Sequence, residues 1–138
     1  MALIVDTGPL YASLDRDEEA HRQCRELLDT FKEPLILPAP VLVEVEYLAR
    51  TRLHIGISLR FLRDVSAGAW VVEDLTAYDY QRVSEICERY SDSEIGLVDA
   101  AVLAISERLN EPKVATLDQR NFRMFRPRHV DALTLLPD

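Results

Sequence analysis

The sequence predicts an α/β fold whose parallel sheet is covered by helices on both faces. Three observations lead there. The chain has 138 residues, the size of one domain, and 48% of them are hydrophobic, enough for a substantial core. Several short apolar segments have the length of buried strands. These alternate with longer segments whose apolar residues recur at helical spacing, a pattern that sets the strands in parallel with right-handed crossovers. No repeat, low-complexity stretch or linker interrupts the chain, so a single domain over residues 1–138 is expected.

Taken in order, Leu3 to Val5 reads as the first strand. Pro9 suits the first position of the next helix, which would take Gly8 as its cap and run to about Leu14. Asp17 to Phe31 reads as a second helix, with Ala20, Cys24, Leu27, Leu28 and Phe31 on one stripe. Pro34 to Pro38 is a short buried strand, and Pro40 opens a third helix reaching about Thr51. Ser58 to Ala67 is a further helix and Ala69 to Val72 the next strand. Thr76 can cap a helix through Tyr90, where Tyr80, Val83, Ile86, Cys87 and Tyr90 form the apolar stripe. Ile95 to Leu109 is a strongly apolar helix, Lys113 to Leu117 a strand, and Leu133 to Leu136 a last edge strand.

Composition narrows the function classes. There is no long uncharged apolar run, and the apolar start Met1 to Val5 is too brief for a signal peptide and lacks a basic lead. Cys24 and Cys87 lie inside helices without metal-ligand spacing and read as small core residues of a reducing compartment. A cytoplasmic protein is expected. The net charge of −8 argues against nucleic acid when taken alone. It ceases to do so if carboxylates cluster around divalent cations, which invert the local field. The basic residues are also uneven: Arg120, Arg123, Arg126 and Arg128 fall within nine residues, and Arg50 and Arg52 flank Thr51. Arg120 and Arg123 are candidates for phosphate contacts.

Four carboxylates stand out by position. Asp6 directly follows the first strand, two positions too early to cap a helix that begins at Pro9. Glu44 shares a helix face with Val41, Val45 and Leu48, where an unpaired charge would be costly, whereas Glu46 points elsewhere toward solvent. Asp99 is the only charge in the apolar run from Ile95 to Ile105, and helix capping competes with a site role there. Asp118 follows the strand ending at Leu117, where a turn or cap role competes. Two acids at strand ends and two on helices that could face them would repel one another unless a cation sits among them. Oxygen ligands alone suit Mg²⁺ or Mn²⁺ rather than zinc. Such an ion can activate water and neutralise charge developing on a phosphoryl oxygen.

With these residues in place, the chain resembles the PIN-domain nucleases, and the VapC-like toxins in particular. The matching segments are Ile4-Val5-Asp6-Thr7, Val41-Leu42-Val43-Glu44-Val45, Gly96-Leu97-Val98-Asp99-Ala100-Ala101, and Ala115-Thr116-Leu117-Asp118 followed by Asn121-Phe122. The resemblance implies a three-layer α/β/α sandwich with an acidic pocket for Mg²⁺ or Mn²⁺. It implies that Asp6, Glu44, Asp99 and Asp118 are the catalytic acids, with Asp6 and Asp99 most directly bound to metal and Thr7 and Thr116 in support. It further implies endonucleolytic cleavage of RNA, a homodimer, and inhibition by a small VapB-like antitoxin that often places an Arg in the pocket. A carboxylate cluster is in any case a good receptor for a guanidinium. The helices from Ala20 to Phe31 and Pro40 to Ala49, with Tyr47, Leu48 and Phe61 nearby, could offer a partner helix an apolar groove.

Other readings remain: a non-catalytic binding module, or a housekeeping PIN nuclease without an antitoxin. A phosphoacceptor receiver domain fits poorly, because Leu3-Ile4-Val5 brings no adjacent acids and Lys113 stands at the start of its strand rather than late in it.

Overall fold

The computed structural model describes residues 1–138. Five parallel strands form one sheet in the order β3-β2-β1-β4-β5: β1 (Leu3–Val5), β2 (Leu35–Pro38), β3 (Val71–Glu73), β4 (Lys113–Ala115) and β5 (Thr134–Leu136). Seven helices flank it: α1 (Thr7–Leu14), α2 (His21–Thr30), α3 (Ala39–Leu48), α4 (Ile55–Ser66), α5 (Ala77–Arg89), α6 (Leu97–Arg108) and α7 (Gln119–Met124). The α/β architecture expected from the alternation of short strands and helices is therefore present. Successive side chains of a strand point to opposite faces, and Leu3, Ile4 and Val5 are all fully buried, so both faces of the central strand are covered. α6 contributes an unbroken buried run from Ala100 to Ser106.

β1 lies between β2 and β4, with Ile4 in register with both Ile36 and Val114. The chain winds outward from β1 through β2 to β3, then crosses over to build β4 and β5 on the other side. The direction of winding thus reverses between β1 and β4. At such a reversal the connections leave the carboxyl ends of the strands in opposite directions and open a crevice.

Several element boundaries differ from the sequence reading, each for a local reason. α1 begins at Thr7, not Pro9, because the Asp6 carboxylate accepts the Thr7 backbone N–H at 2.8 Å and acts as the cap in place of Gly8. Pro9 sits in the first turn, where its missing N–H costs nothing. α2 begins at His21, since Asp15 accepts the Asp17 N–H at 3.0 Å and fixes a turn where helix was expected. α3 ends at Leu48 and passes through a π-helical turn, Ala49–Leu53. α4 begins three residues early, at Ile55, because His54 caps it through Nδ1, which accepts the Gly56 N–H at 2.9 Å. β3 is shifted to Val71–Glu73 and sits at a sheet edge, with Val71 and Val72 exposed. β4 stops at Ala115, and α7 was not expected at all.

The α5 cap was legible. Thr76 accepts the Asp79 N–H at 3.1 Å, and Asp79 in turn accepts the Thr76 N–H at 2.9 Å. Asp79 is buried and also accepts from Arg108 Nε at 2.9 Å, which ties the start of α5 to the end of α6. Arg82 adds a bidentate pair to Glu107 across the same two helices.

Candidate active site

The four acids come from four different elements, and the fields of Asp6, Asp118 and Glu44 all reach Asp99. Asp6 is the residue after β1, is 5% exposed, and has both carboxylate oxygens engaged. Oδ1 accepts the Thr7 N–H at 2.8 Å, and Oδ2 accepts the Thr116 hydroxyl at 2.8 Å. The backbone locks the position too, because the Asp6 N–H donates to the Ala115 carbonyl at 2.9 Å. Thr116 is fully buried, and its hydroxyl also accepts the Asp118 N–H at 3.1 Å. One hydroxyl therefore fixes the carboxylate after β1 and the turn after β4 together. Asp118 caps α7: its Oδ1 accepts the Asn121 N–H at 3.4 Å and its Oδ2 the Asn121 side-chain amide at 2.8 Å.

Asp99 lies in the first turn of α6, capped by Gly96 without a side-chain bond, so the Asp99 carboxylate is free of a capping role. Its pKa is pushed up to about 7 by burial first, then by the negative fields of Asp6, Asp118 and Glu44. All three other acids thus act on this one carboxyl. Burial also raises the Asp6 pKa, opposed by the bonds from Thr7 and Thr116 and reinforced by Glu44 and Asp118.

Two expectations about α3 need correction. Glu44 is exposed at the rim of the stripe formed by buried Val41 and Val45, so it is not the buried charge that the spacing predicts. Glu46 is not simply solvated: it accepts from Ser58 at 2.7 Å and from Arg50 at 2.9 Å, which lowers its pKa. Of the residues named for a partner groove, Phe61 is 2% exposed and fills the core, the reading the sequence favours for them. An apolar hollow lies instead on another side of α3, lined by Pro40, Val43, Tyr47, Leu75, Leu97 and Val98, with Glu44 at its edge.

The two arginines proposed for phosphate contacts are both exposed on α7. Arg120 shares a polar hollow with Asp118, Asn121 and Ser93, and no acid within 4.0 Å neutralises it. Arg123 donates to Gln119 at 3.1 Å. Sequence reasoning read Asn121 only as part of a motif and missed its bond to Asp118; an Asn three residues after a strand-end Asp was the available signal.

The site's fit to a divalent cation rests on its donors. No three of its side chains are gathered closely enough to hold an ion as they stand. The donors are all oxygens, suited to a hard cation. The Thr7 hydroxyl beside Asp6 is buried and has no partner within the protein.

This crevice of oxygens at a reversal of a parallel sheet defines a class of protein, and the comparisons agree. The chain belongs to the PIN-domain family, whose model matches residues 3–126. Its resemblance within that family is to VapC proteins. Ribonuclease VapC26 of Mycobacterium tuberculosis is 31% identical over 135 residues, 98% of this chain and 100% of that protein. The crystal structure of Mycobacterium tuberculosis VapC20, a Sarcin-Ricin loop cleaving toxin, superposes with a TM-score of 0.75 at 20% identity, covering 81% of this chain and 86% of that one. VapBC2 from Rickettsia felis, bound to a DNA fragment from its promoter, gives 0.71 at 16% identity, over 99% of this chain and 100% of that one. At these identities the two structures speak to fold alone.

Proposed function

We propose that this chain is a metal-dependent endoribonuclease, the toxin of a VapBC-like toxin–antitoxin pair, acting as a single nuclease domain over residues 1–138. The observation that carries the reading is the Thr116 hydroxyl, which joins the carboxylate of Asp6 after β1 to the turn that bears Asp118 after β4. The full-length likeness to a ribonuclease supports it.

Asp6 and Asp99 would hold Mg²⁺ or Mn²⁺, with Glu44 and Asp118 completing the catalytic set. The ion supplies positive charge for the scissile phosphate and for activation of water. The chain's own residues set the stage. Thr116 and the Thr7 N–H aim the two Asp6 oxygens. Asp99, part-buried in the first turn of α6, would offer its carboxylate to the ion. Exposed Glu44 stands where RNA and water enter. Arg120, free of acidic partners, and Arg123 would contact phosphates of the substrate and offset the chain's net charge of −8.

The same carboxylates would receive an arginine from a VapB-like antitoxin. A homodimer would cover part of the exposed apolar surface, which includes Val43 at 65% and Tyr47 at 56% exposure. No helix is long and apolar enough to cross a membrane, and both cysteines are unpaired. Together with the family likeness, these support action in the cytoplasm.

The deciding experiment is cleavage of a mixed RNA pool by the purified chain with Mn²⁺, with Mg²⁺ and with EDTA, beside Asp99→Asn. Metal-dependent cuts absent from the variant are expected. A folded, inhibitor-free chain that cuts under no condition would favour the binding-module reading.

A further inference from the structure

The last carboxylate of the site is held in a way that a structural cap does not require. α7 begins at Asp118, and Asn121 occupies its third helical position. In the usual reciprocal cap, the side chain at that position reaches back to the N–H of the capping residue. This chain contains that arrangement at α5, where Asp79 accepts the Thr76 N–H. At α7 the equivalent N–H, that of Asp118, is already taken by the Thr116 hydroxyl. Asn121 turns its amide onto the carboxylate itself, donating Nδ2–H to Asp118 Oδ2 at 2.8 Å. An acid at position 121 could not make this bond, because a carboxylate cannot donate. Asp118 is exposed and has no other side-chain donor, so without Asn121 its rotamer would be set only by the longer bond from the Asn121 backbone. The chain Asn121–Asp118–Thr116–Asp6 is continuous, and each link lies between 2.8 and 3.1 Å.

We propose that Asn121 is a positioning residue of the carboxylate site: its amide orients the Asp118 carboxylate toward the crevice shared with Asp6 and Asp99. The inference rests on the ribonuclease reading for its kinetic readout and on cation binding for an independent one. Residues that orient ligands from behind cost about 10–100-fold in activity or metal affinity when removed.

The test compares the parent with Asn121→Ala and Asn121→Asp. Asp has nearly the shape of Asn and suits the first turn of a helix, so Asn121→Asp keeps α7 while removing the donor. Mn²⁺ affinity is measured by calorimetry on the folded chains, and kcat and KM are measured on an RNA that the parent cuts. Both variants are expected to lose about 10–100-fold in kcat and about tenfold in Mn²⁺ affinity, with KM within about twofold and melting temperature little changed in Asn121→Asp. Parent-like kcat and Mn²⁺ affinity in Asn121→Asp would overturn the proposal and leave Asn121 as a helix-start residue. Tighter Mn²⁺ binding in that variant would also overturn it, making position 121 a ligand position. A parent that binds Mn²⁺ but cuts no RNA removes the ribonuclease reading and leaves the calorimetric comparison to decide Asn121. A parent that binds no Mn²⁺ overturns both.

Discussion

Asp99 concentrates the electrostatics of the site. Its pKa of about 7 in the folded chain lies above the ordinary 3.8, so folding favours its protonated form. In the absence of metal the resulting stabilisation is fully present below about pH 4 and is lost as pH rises through about 7. The size of this term is on the order of 1–4 kcal/mol, the upper end corresponding to the whole rise from 3.8 to about 7. Asp99→Asn is expected to abolish cleavage and to reduce the fall in metal-free stability between about pH 4 and 7, leaving the part that the raised Asp6 carboxyl contributes. Urea denaturation at several pH values checks this; an unchanged slope in the variant would place the titration elsewhere. Thr116→Val tests a different residue-scale claim. It leaves the Asp6 carboxylate and the Asp118 N–H without their shared partner, at a cost of about 1–3 kcal/mol. Because the Thr116 bond lowers the Asp6 pKa, the variant should raise it further and weaken Mn²⁺ binding near neutral pH.

Single helices show what pattern reading captures and where it fails. Thr76 was legible as a cap because a β-hydroxyl before a periodic apolar segment is a local signal, and the bonds to Asp79 are local too. Thr76→Ala is expected to cost about 1 kcal/mol in thermal or urea unfolding with cleavage unchanged, since α5 carries no site acid. α7 escaped notice because six residues hold under two turns, too few for periodicity to register. The stripe on α3 was correctly periodic, yet Glu44 was assigned to its buried face, because spacing gives a residue's azimuth but not where the neighbouring packing ends. Arg120 on α7 bears on substrate binding: Arg120→Ala should weaken binding of RNA to the inactive Asp99→Asn chain and lower the salt slope by about one. An unchanged slope would return Arg120 to the solvated surface.

At the scale of the whole molecule, the sheet order decides where chemistry can occur. Strands β1 and β4 are 108 positions apart in sequence, counting from Val5 to Lys113, yet they pair directly at the centre of the sheet. That pairing brings Asp6 and Thr116 to 2.8 Å. A cation binding only the folded arrangement should raise the melting temperature of the parent, increasingly with ion concentration. The rise should be largest near and above neutral pH, where Asp99 is ionised, and should shrink sharply in Asp99→Asn. Equal stabilisation of parent and variant would point to a site away from this crevice.

By itself the sequence determined the α/β class and the approximate strands and helices, and it singled out the four acids proposed for the site. Those properties follow from local hydrophobic periodicity and from polar residues placed against it, which neighbours along the chain suffice to reveal. Only the tertiary structure decided the rest. Asp6 proved to be the cap of α1, through Oδ1, with Oδ2 left to accept the Thr116 hydroxyl. Glu44 proved to be exposed, Glu46 a bonded surface residue, and Phe61 part of the core. Asn121 proved to grip Asp118 because Thr116 had already claimed the cap's N–H. Each of these depends on which distant element arrives to accept, donate or cover, and that information resides in the packing rather than in the spacing of residues.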